Sequence, residues 1–184
     1  LSGVAVSTAF SAAVTVLLFL FQDKTHGLLS WLFGTFSMSS WETVLVEALV
    51  MSSGFLFIMI RSKKMNAFLM GDDFAKQLGI NVNRLRKELL VSSSIMTGTA
   101  VSFSGIIGFI GLIAPHIARL SVGGDHRLLV PTAAIMGSIL AVLSDLMAKS
   151  LVMPAELPVG ALTSMIGVPF FVYLLIRSRG RYLL

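Results

Sequence analysis

The chain has 184 residues, of which 55% are hydrophobic and only 12% are charged. Ordinary soluble domains carry about 25% charged residues, so this composition excludes a typical soluble enzyme or nucleic-acid-binding domain. The formal net charge is +5, but the basic residues cluster at the ends of apolar runs, which is typical of membrane topology. The sequence has no cysteine, which excludes disulfides and thiolate metal sites within it.

Six apolar runs follow one another along the chain. Crossing a hydrocarbon core of about 30 Å takes about 20 predominantly apolar residues in a helix. The runs cover residues 4–21, 43–60, 89–103, 105–116, 128–147 and 160–176. We therefore predict an all-α polytopic membrane protein with about six transmembrane helices. Because the chain opens on Leu1 and has no signal-peptide layout, we also expect that it begins partway through a longer protein.

Two of the apolar segments are too short for an ordinary span. Residues 26–40 contain Trp31 and are followed by Trp41, which suits an interfacial helix in an aromatic belt. The run at 105–116 has three glycines and Pro115, which predicts a short or broken span. Lipid cannot satisfy irregular backbone, so we expect this run to be covered by protein.

Small residues recur every four positions in the third apolar run, at Ser94, Gly98 and Ser102. This spacing puts them on one helix face that is thin enough for close approach of a neighbouring backbone. We expect that face to be buried against protein.

The orientation follows from the one charge-dense interruption, residues 61–88. This segment holds ten charged residues, seven of them basic. If it is cytoplasmic and each run crosses once, twelve Lys and Arg lie on that side, and only Lys24 and Lys149 lie on the other. Such a bias is the positive-inside pattern, and it supports six crossings that begin and end in the cytoplasm.

A short helix is predicted inside the charged segment. Ala75 lies four residues after Gly71 and four before Gly79, which gives a small helix face able to fit a cleft of another protein. Gly79 can end such a helix in the left-handed conformation. The alternative is a solvated amphipathic loop.

Four ordered motifs carry a family resemblance. They are Gly-Ile-Ile-Gly-Phe-Ile-Gly-Leu-Ile-Ala-Pro-His-Ile-Ala-Arg at 105–119, Gly-Asp-His-Arg at 124–127, Glu-Leu-Pro-Val-Gly at 156–160 and Gly-Val-Pro-Phe at 167–170. In this order and spacing the sequence resembles the iron-siderophore, haem and cobalamin permease family of ABC importers, along the whole chain.

The resemblance implies an architecture and a set of partners. Permeases of this family have ten membrane helices and work as homodimers on two ATP-binding subunits, with an extracytoplasmic substrate-binding protein. The single domain at 1–184 would then be helices five to ten, in a prokaryotic inner membrane. Residues 4–21 would line the pathway, 26–40 would form the extracytoplasmic gating helix, and 61–88 the cytoplasmic coupling loop. The chain itself would need no cofactor, because ATP and Mg²⁺ bind the partner subunit.

The resemblance also implies roles for particular residues. The coupling helix that docks on the ATP-binding subunit would comprise Gly71, Asp72, Ala75, Leu78 and Gly79. On that basis we expect a bulky Ala75→Trp to uncouple ATP hydrolysis from transport in a folded permease.

Lys149 has two interpretations. Asp145 precedes it by four residues, which favours an ion pair along one helix face. Family members usually have arginine here, where it pairs with a glutamate of the binding protein. Lysine keeps the charge but loses the bidentate fork, so the resemblance predicts a weaker docking residue.

The other polar residues do not indicate a catalytic or metal-binding site. We interpret His116 as a partner for carbonyls freed by the proline, and Asp125 and His126 as a helix start, with no metal site. Glu47 should face protein, water or the interface. We identify no nucleophilic triad and no phosphate-binding loop, so we expect a permease subunit rather than an enzyme.

Two other functions stay open at this point. A secondary transporter would also be apolar, but it would be expected to place ion-binding acids near mid-membrane, where none clearly sits. A membrane scaffold would use the charged segment only to bind partners. Within the permease interpretation, the sequence does not discriminate ferric siderophore, haem, cobalamin or an oxyanion such as molybdate as the substrate.

Overall fold

The computed structural model describes residues 2–21, 31–37, 39–151 and 157–179. Within these ranges the regular secondary structure is entirely helical, which confirms the all-α prediction. Seven helices have defined bounds: α1 Ser2–Leu20, α2 Trp41–Phe68, α3 Asp72–Gln77, α4 Val82–Ser104, α5 Ile110–Val122, α6 His126–Ser150 and α7 Val159–Arg179.

Each predicted span corresponds to one helix, but the helices differ in their ability to cross a membrane. By length and composition, α1, α2 and α6 are each sufficient. The apolar helices α5 and α7 are shorter, with α7 apolar over residues 159–174. At 23 residues α4 is long enough, but its charged first turns and its many Ser and Thr residues keep it outside this group. The other three helices that cover apolar runs, α4, α5 and α7, therefore depend more on packing against protein for a place in the membrane.

The charged segment 61–88 is built mostly of helix rather than loop. The basic run at 61–64 does not end α2, which continues to Phe68, and α4 already begins at Val82. Lys, Arg and Met are good helix formers, so both helices extend past the apolar runs. Asn81 starts α4 as its N-cap, with the side chain accepting from the Arg84 backbone N at 3.0 Å.

The glycine-rich run forms a helix later than predicted. Residues 105–109 are irregular, with Phe109 at φ +65°, and α5 starts only at Ile110. The helix then runs through Pro115 to Val122, so the proline does not end it. The prediction of a short span holds, but the helix begins five residues later than the predicted run at 105–116 and extends beyond it to Val122.

The small-residue face of α4 is not buried by the rest of the described chain. Ser94, Gly98 and Ser102 are all exposed. Instead α4 packs on α2 through another face, where the side chain of Met96 occupies the space beside Gly54. The described chain does not cover the small face, so its burial against protein stays a prediction about helices or subunits outside these residues.

Three chain segments meet by backbone hydrogen bonds at the end of the bundle opposite the charged segment. Residues 31–35 lie between the end of α4 and the start of α7. Thr35 N donates to Ser104 O at 2.9 Å on one side, and Gly160 N donates to Phe33 O at 3.1 Å on the other. We call this contact the glycine junction, after Gly34, Gly105 and Gly160. The predicted helix at 26–40 lies partly outside the described residues, which include only 31–37, 39 and 40 of it.

Close backbone approach explains why glycines form this junction. Gly105 has φ +70°, and a Cβ there would collide with the carbonyl oxygen of Trp31. A Cβ on Gly160 would collide with the carbonyl oxygens of Phe33 and Ile106. The colliding atoms are backbone, which cannot rotate away as a side chain would.

We predict that Gly105→Ala destabilises the protein by about 2–5 kcal/mol, because it adds left-handed strain and a backbone collision. The matched control is Gly137→Ala in α6, where a Cβ would lie 3.7 Å from the side chains of Ala114 and Ile110, an ordinary contact. That variant should be neutral or up to about 1 kcal/mol more stable. Thermal unfolding of the purified variants measures both; equal effects would contradict the explanation.

Candidate coupling and docking sites

The short helix α3 is present, and glycines bound it at both ends. Gly71 precedes it at φ +102°, and Gly79 follows it at φ +75°. Gly79 N donates to Lys76 O at 2.9 Å and Ile80 N donates to Ala75 O at 3.1 Å, which closes the last turn. This arrangement confirms the predicted left-handed end at Gly79.

Ala75 faces the rest of this chain rather than a partner. Its exposed fraction is 0%, and it forms a buried cluster with Ala67 of α2 and Val82 of α4. Phe68 and Ile80 pack against the same cluster. The small residue therefore seats α3 on the ends of α2 and α4. The expectation that Ala75→Trp leaves the protein folded is wrong, because no space exists there for an indole.

Beside the buried side of α3, Phe74 and the C-cap residue Leu78 form an apolar, exposed flank. Phe74 is 40% exposed and Leu78 is 58% exposed. Leu69 and Met70, just before α3, are exposed as well. Exposed apolar side chains grouped at the tip of a charged segment are typical of a surface that binds protein.

Two ion pairs lie on α3, and one of them holds it to α4. Asp72 accepts two hydrogen bonds from Arg86 Nη2, at 2.7 and 2.9 Å. Asp73 pairs with Lys76 at 2.8 Å within the helix, and this hydrogen bond lowers the pKa of the Asp73 carboxyl. Asp72 therefore acts within this chain, as an anchor of α3.

A second charged group joins α2 to α4 below α3. Glu88 accepts from Arg61 Nε at 2.8 Å and from Arg84 Nε at 3.0 Å. The Arg61 guanidinium also lies 3.5 Å from the ring centroid of Phe57. Residues 61–88 thus form a packed platform of two helix ends with α3 between them.

The amide of Asn66, near the end of α2, binds the start of α6. Asn66 Nδ2 donates to Asp125 Oδ1 at 2.6 Å, and Asn66 Oδ1 accepts from His126 backbone N at 2.8 Å. His126 Nδ1 lies 2.8 Å from the same oxygen, which suits a proton on Nδ1. We call this group the Asn66 link. Sequence patterns did not indicate this link, because a single asparagine among charged residues has no diagnostic spacing.

Asp125 begins α6, as predicted. It accepts from Arg127 backbone N at 2.9 Å, which makes it the N-cap. Hydrogen bonds from Arg127 and from Asn66 hold the pKa of this carboxyl well below its usual value. The carboxylate is therefore charged at neutral pH.

Lys149 lies in the last turn of α6 and forms the predicted ion pair. Its Nζ is 2.7 Å from Asp145 Oδ2, and the Lys149 side chain is 42% exposed. Exposed pairs contribute about 0–1 kcal/mol. Asp145, however, is only 23% exposed, and its Oδ1 is buried without a hydrogen-bond partner among the described residues. Glu156, in one of the family-like motifs, lies outside the described residues.

His116 contacts an aromatic ring and belongs to no candidate metal site among the described residues. It lies edge-on to Phe170 of α7, with the ring centroids 6.0 Å apart. Across residues 2–21, 31–37, 39–151 and 157–179, no three His, Asp or Glu side chains converge in a way that could hold a metal ion.

Known proteins resemble this chain in sequence and in fold. The hemin transport system permease protein HmuU of Yersinia pestis is 39% identical over 180 residues, covering 97% of this chain and 54% of that protein. The cobalamin import system permease protein BtuC of Halobacterium salinarum is 41% identical over 175 residues, covering 95% of this chain and 47% of that protein.

A solved structure described as an inward-facing conformation of a metal-chelate type ABC transporter matches with a TM-score of 0.87 at 33% identity. The match covers 95% of this chain and 57% of that one. The chain thus spans about half the length of the relatives it matches. Residues 1–177 also match the FecCD transport family, which confirms the resemblance inferred from the motifs. The chain belongs to the FecCD transport family.

Proposed function

We propose that this chain is the C-terminal half of a permease subunit in an ATP-driven importer of a chelated metal, such as ferric siderophore, haem or cobalamin. The observation that carries the proposal is the family match across residues 1–177. The named relatives include hemin and cobalamin permeases, so the substrate class is a bulky chelate rather than a simple ion. The permease operates in a prokaryotic inner membrane and crosses it several times.

The platform at 61–88 is the site where ATP-binding subunits act on the permease. Those subunits bind ATP and Mg²⁺ and hydrolyse the nucleotide; this chain supplies no catalytic group. Phe74 and Leu78 on the exposed face of α3 insert into the partner. Asp72, Ala75 and the two flanking glycines fix the position and length of α3, so that a push on it reaches α2 and α4.

Exposure of α1 supports a pathway between two copies of the permease. Every residue of α1 whose side chain is described, except Leu18, is exposed in this chain, although the helix is apolar throughout. So much apolar surface has to be covered by lipid, by other helices of the subunit or by a second subunit. In a homodimer, α1 lines the pathway beside the symmetry axis, and residues 31–35 close it at the extracytoplasmic end.

Lys149 contributes to docking of the extracytoplasmic binding protein. It lies at the end of α6 that is remote from the platform, and its ammonium pairs with Asp145, with side-chain exposures of 42% for Lys149 and 23% for Asp145. A glutamate on the binding protein can therefore compete with Asp145 for the same charge. Electrostatic pairing at such a rim sets the rate and register of docking.

Reconstitution in liposomes tests the proposal. The complete permease is combined with its ATP-binding subunits and binding protein, and uptake of ferric siderophore, haem and cobalamin is measured with and without ATP. ATP-dependent uptake of one chelate, with hydrolysis stimulated by the loaded binding protein, is the expected result. Uptake driven by an ion gradient would indicate a secondary transporter, and neither uptake nor stimulation would indicate a scaffold.

We predict that Leu78→Asp weakens association with the ATP-binding subunit about tenfold or more, because a carboxylate would be buried without a partner. Co-purification and titration of the two components measure this loss. The matched control is Leu151→Asp, since Leu151 is 57% exposed and Leu78 58%, but Leu151 follows α6 at the opposite end. Equal weakening by both variants would argue against a specific contact at α3.

We predict that Lys149→Glu reduces affinity for the binding protein about tenfold or more, because it replaces an attraction by a like-charge contact. Lys149→Arg keeps the charge and should bind at least as well as the parent. Surface plasmon resonance at low and high salt measures the difference, which should shrink as salt rises. An unchanged affinity for Lys149→Glu would remove this residue from the docking surface.

A further inference from the structure

The Asn66 link connects the platform to the start of α6. Asn66 lies next to Ala67, which belongs to the cluster that seats α3. On its other side, its amide binds Asp125 and His126, which are 59 and 60 residues further along the chain. One side chain therefore joins the seat of α3 to the first residues of α6.

The α6 helix is packed closely with α5, so the two helices form a hairpin. The side chains beside Gly137 of α6 come from Ala114 and Ile110 of α5, at distances that allow direct contact. The turn between the two helices contains Gly123 and Gly124, and a Cβ on Gly124 would lie 3.8 Å from the side chain of Leu69, the residue that follows α2. A displacement of the α6 N-terminus therefore carries α5 with it. The far end of α5 follows the irregular residues 105–109, which begin at the glycine junction.

Asn66 makes hydrogen bonds that are not needed to cap the start of α6. Asp125 already caps α6 by accepting from Arg127 backbone N. The Asn66 amide uses both of its polar atoms on Asp125 and His126, and the group is partly buried. A hydrogen bond to a charged carboxylate is stronger than one between neutral groups, and here the Asp125 side chain is only 35% exposed. Such a contact fixes the position of α6 relative to α2.

We propose that Asn66 is a positioning residue for coupling: its amide transmits motion of the platform to the α5–α6 hairpin. This inference rests on the proposed function, since it assumes that ATP-binding subunits act on α3. Without the link, the subunits would still bind and hydrolyse ATP, but α5 and α6 would follow the platform less closely. The consequence is a lower number of solute molecules moved per ATP.

Exchanging the two side chains, asparagine at 66 and aspartate at 125, tests the link. Asn66→Asp places two carboxylates against each other where the amide now donates, so the link breaks. Asp125→Asn keeps a donor and an acceptor in contact, and asparagine is as good an N-cap as aspartate. Combining Asn66→Asp with Asp125→Asn restores one carboxylate facing one amide, with the roles reversed. The double variant also has the same net charge as the parent.

The experiment uses the complete transporter in liposomes and measures chelate uptake and ATP hydrolysis in the same vesicles. We expect Asn66→Asp to lower uptake per ATP about fivefold or more. Asp125→Asn should stay within about twofold of the parent, and the exchanged pair should recover most of the loss. Asn83→Asp, at an exposed asparagine in the first turn of α4, adds the same charge as a matched control and should leave the ratio unchanged.

The outcomes separate this inference from the proposed function. A purely structural role for Asn66 would lower assembly and thermal stability, with uptake and hydrolysis falling in proportion. An unchanged ratio in Asn66→Asp, or no recovery in the exchanged pair, overturns the inference while ATP-driven import stands. A parent complex with no ATP-driven uptake overturns the proposed function, and the inference with it.

Discussion

Irregular backbone that is closed off from water has to be hydrogen-bonded by other protein groups. The glycine junction meets this constraint. Residues 31–35 take their hydrogen bonds from the end of α4 and the start of α7, with Thr35 N on Ser104 O and Val159 N on Gly34 O. Only glycine at positions 105 and 160 lets the backbones approach that closely. The ends of α4 and α7 therefore have fixed positions relative to the segment that closes the bundle.

Long helices carry this fixed geometry to the other end of the molecule. At 1.5 Å per residue, the 23 residues of α4 span about 35 Å, from the platform to the glycine junction. At its start, Arg86 holds Asp72 of α3; at its end, Ser104 O accepts from Thr35 N. A single stiff element therefore touches both the surface proposed for ATP-binding subunits and the segment proposed as the gate.

Sequence patterns predicted most of the fold, because membrane helices are specified by composition and glycine positions. The six spans, the short helix before Gly79, the Asp125 cap and the Lys149–Asp145 pair all follow from local spacing. What they did not predict was which face of a helix meets its own chain. Ala75 was assigned to a partner and is buried against Ala67. The Ser94 face, predicted to be buried against protein, is not covered by the described chain. Burial of a face depends on packing between different helices, about which spacing along one helix carries no information.

The division of α3 into two faces bears on how force can pass through it. A helix of six residues has too few internal hydrogen bonds to be stable alone, so its rigidity comes from its seat. Ala75 and Asp72 bind that seat, and Phe74 and Leu78 are left for the partner. If the small face had been the docking surface, α3 would have been free to tilt when pushed. With the small face buried, a push on Phe74 or Leu78 by the proposed partner would move α2 and α4 together, and the proposed role of Asn66 would extend that movement to α6.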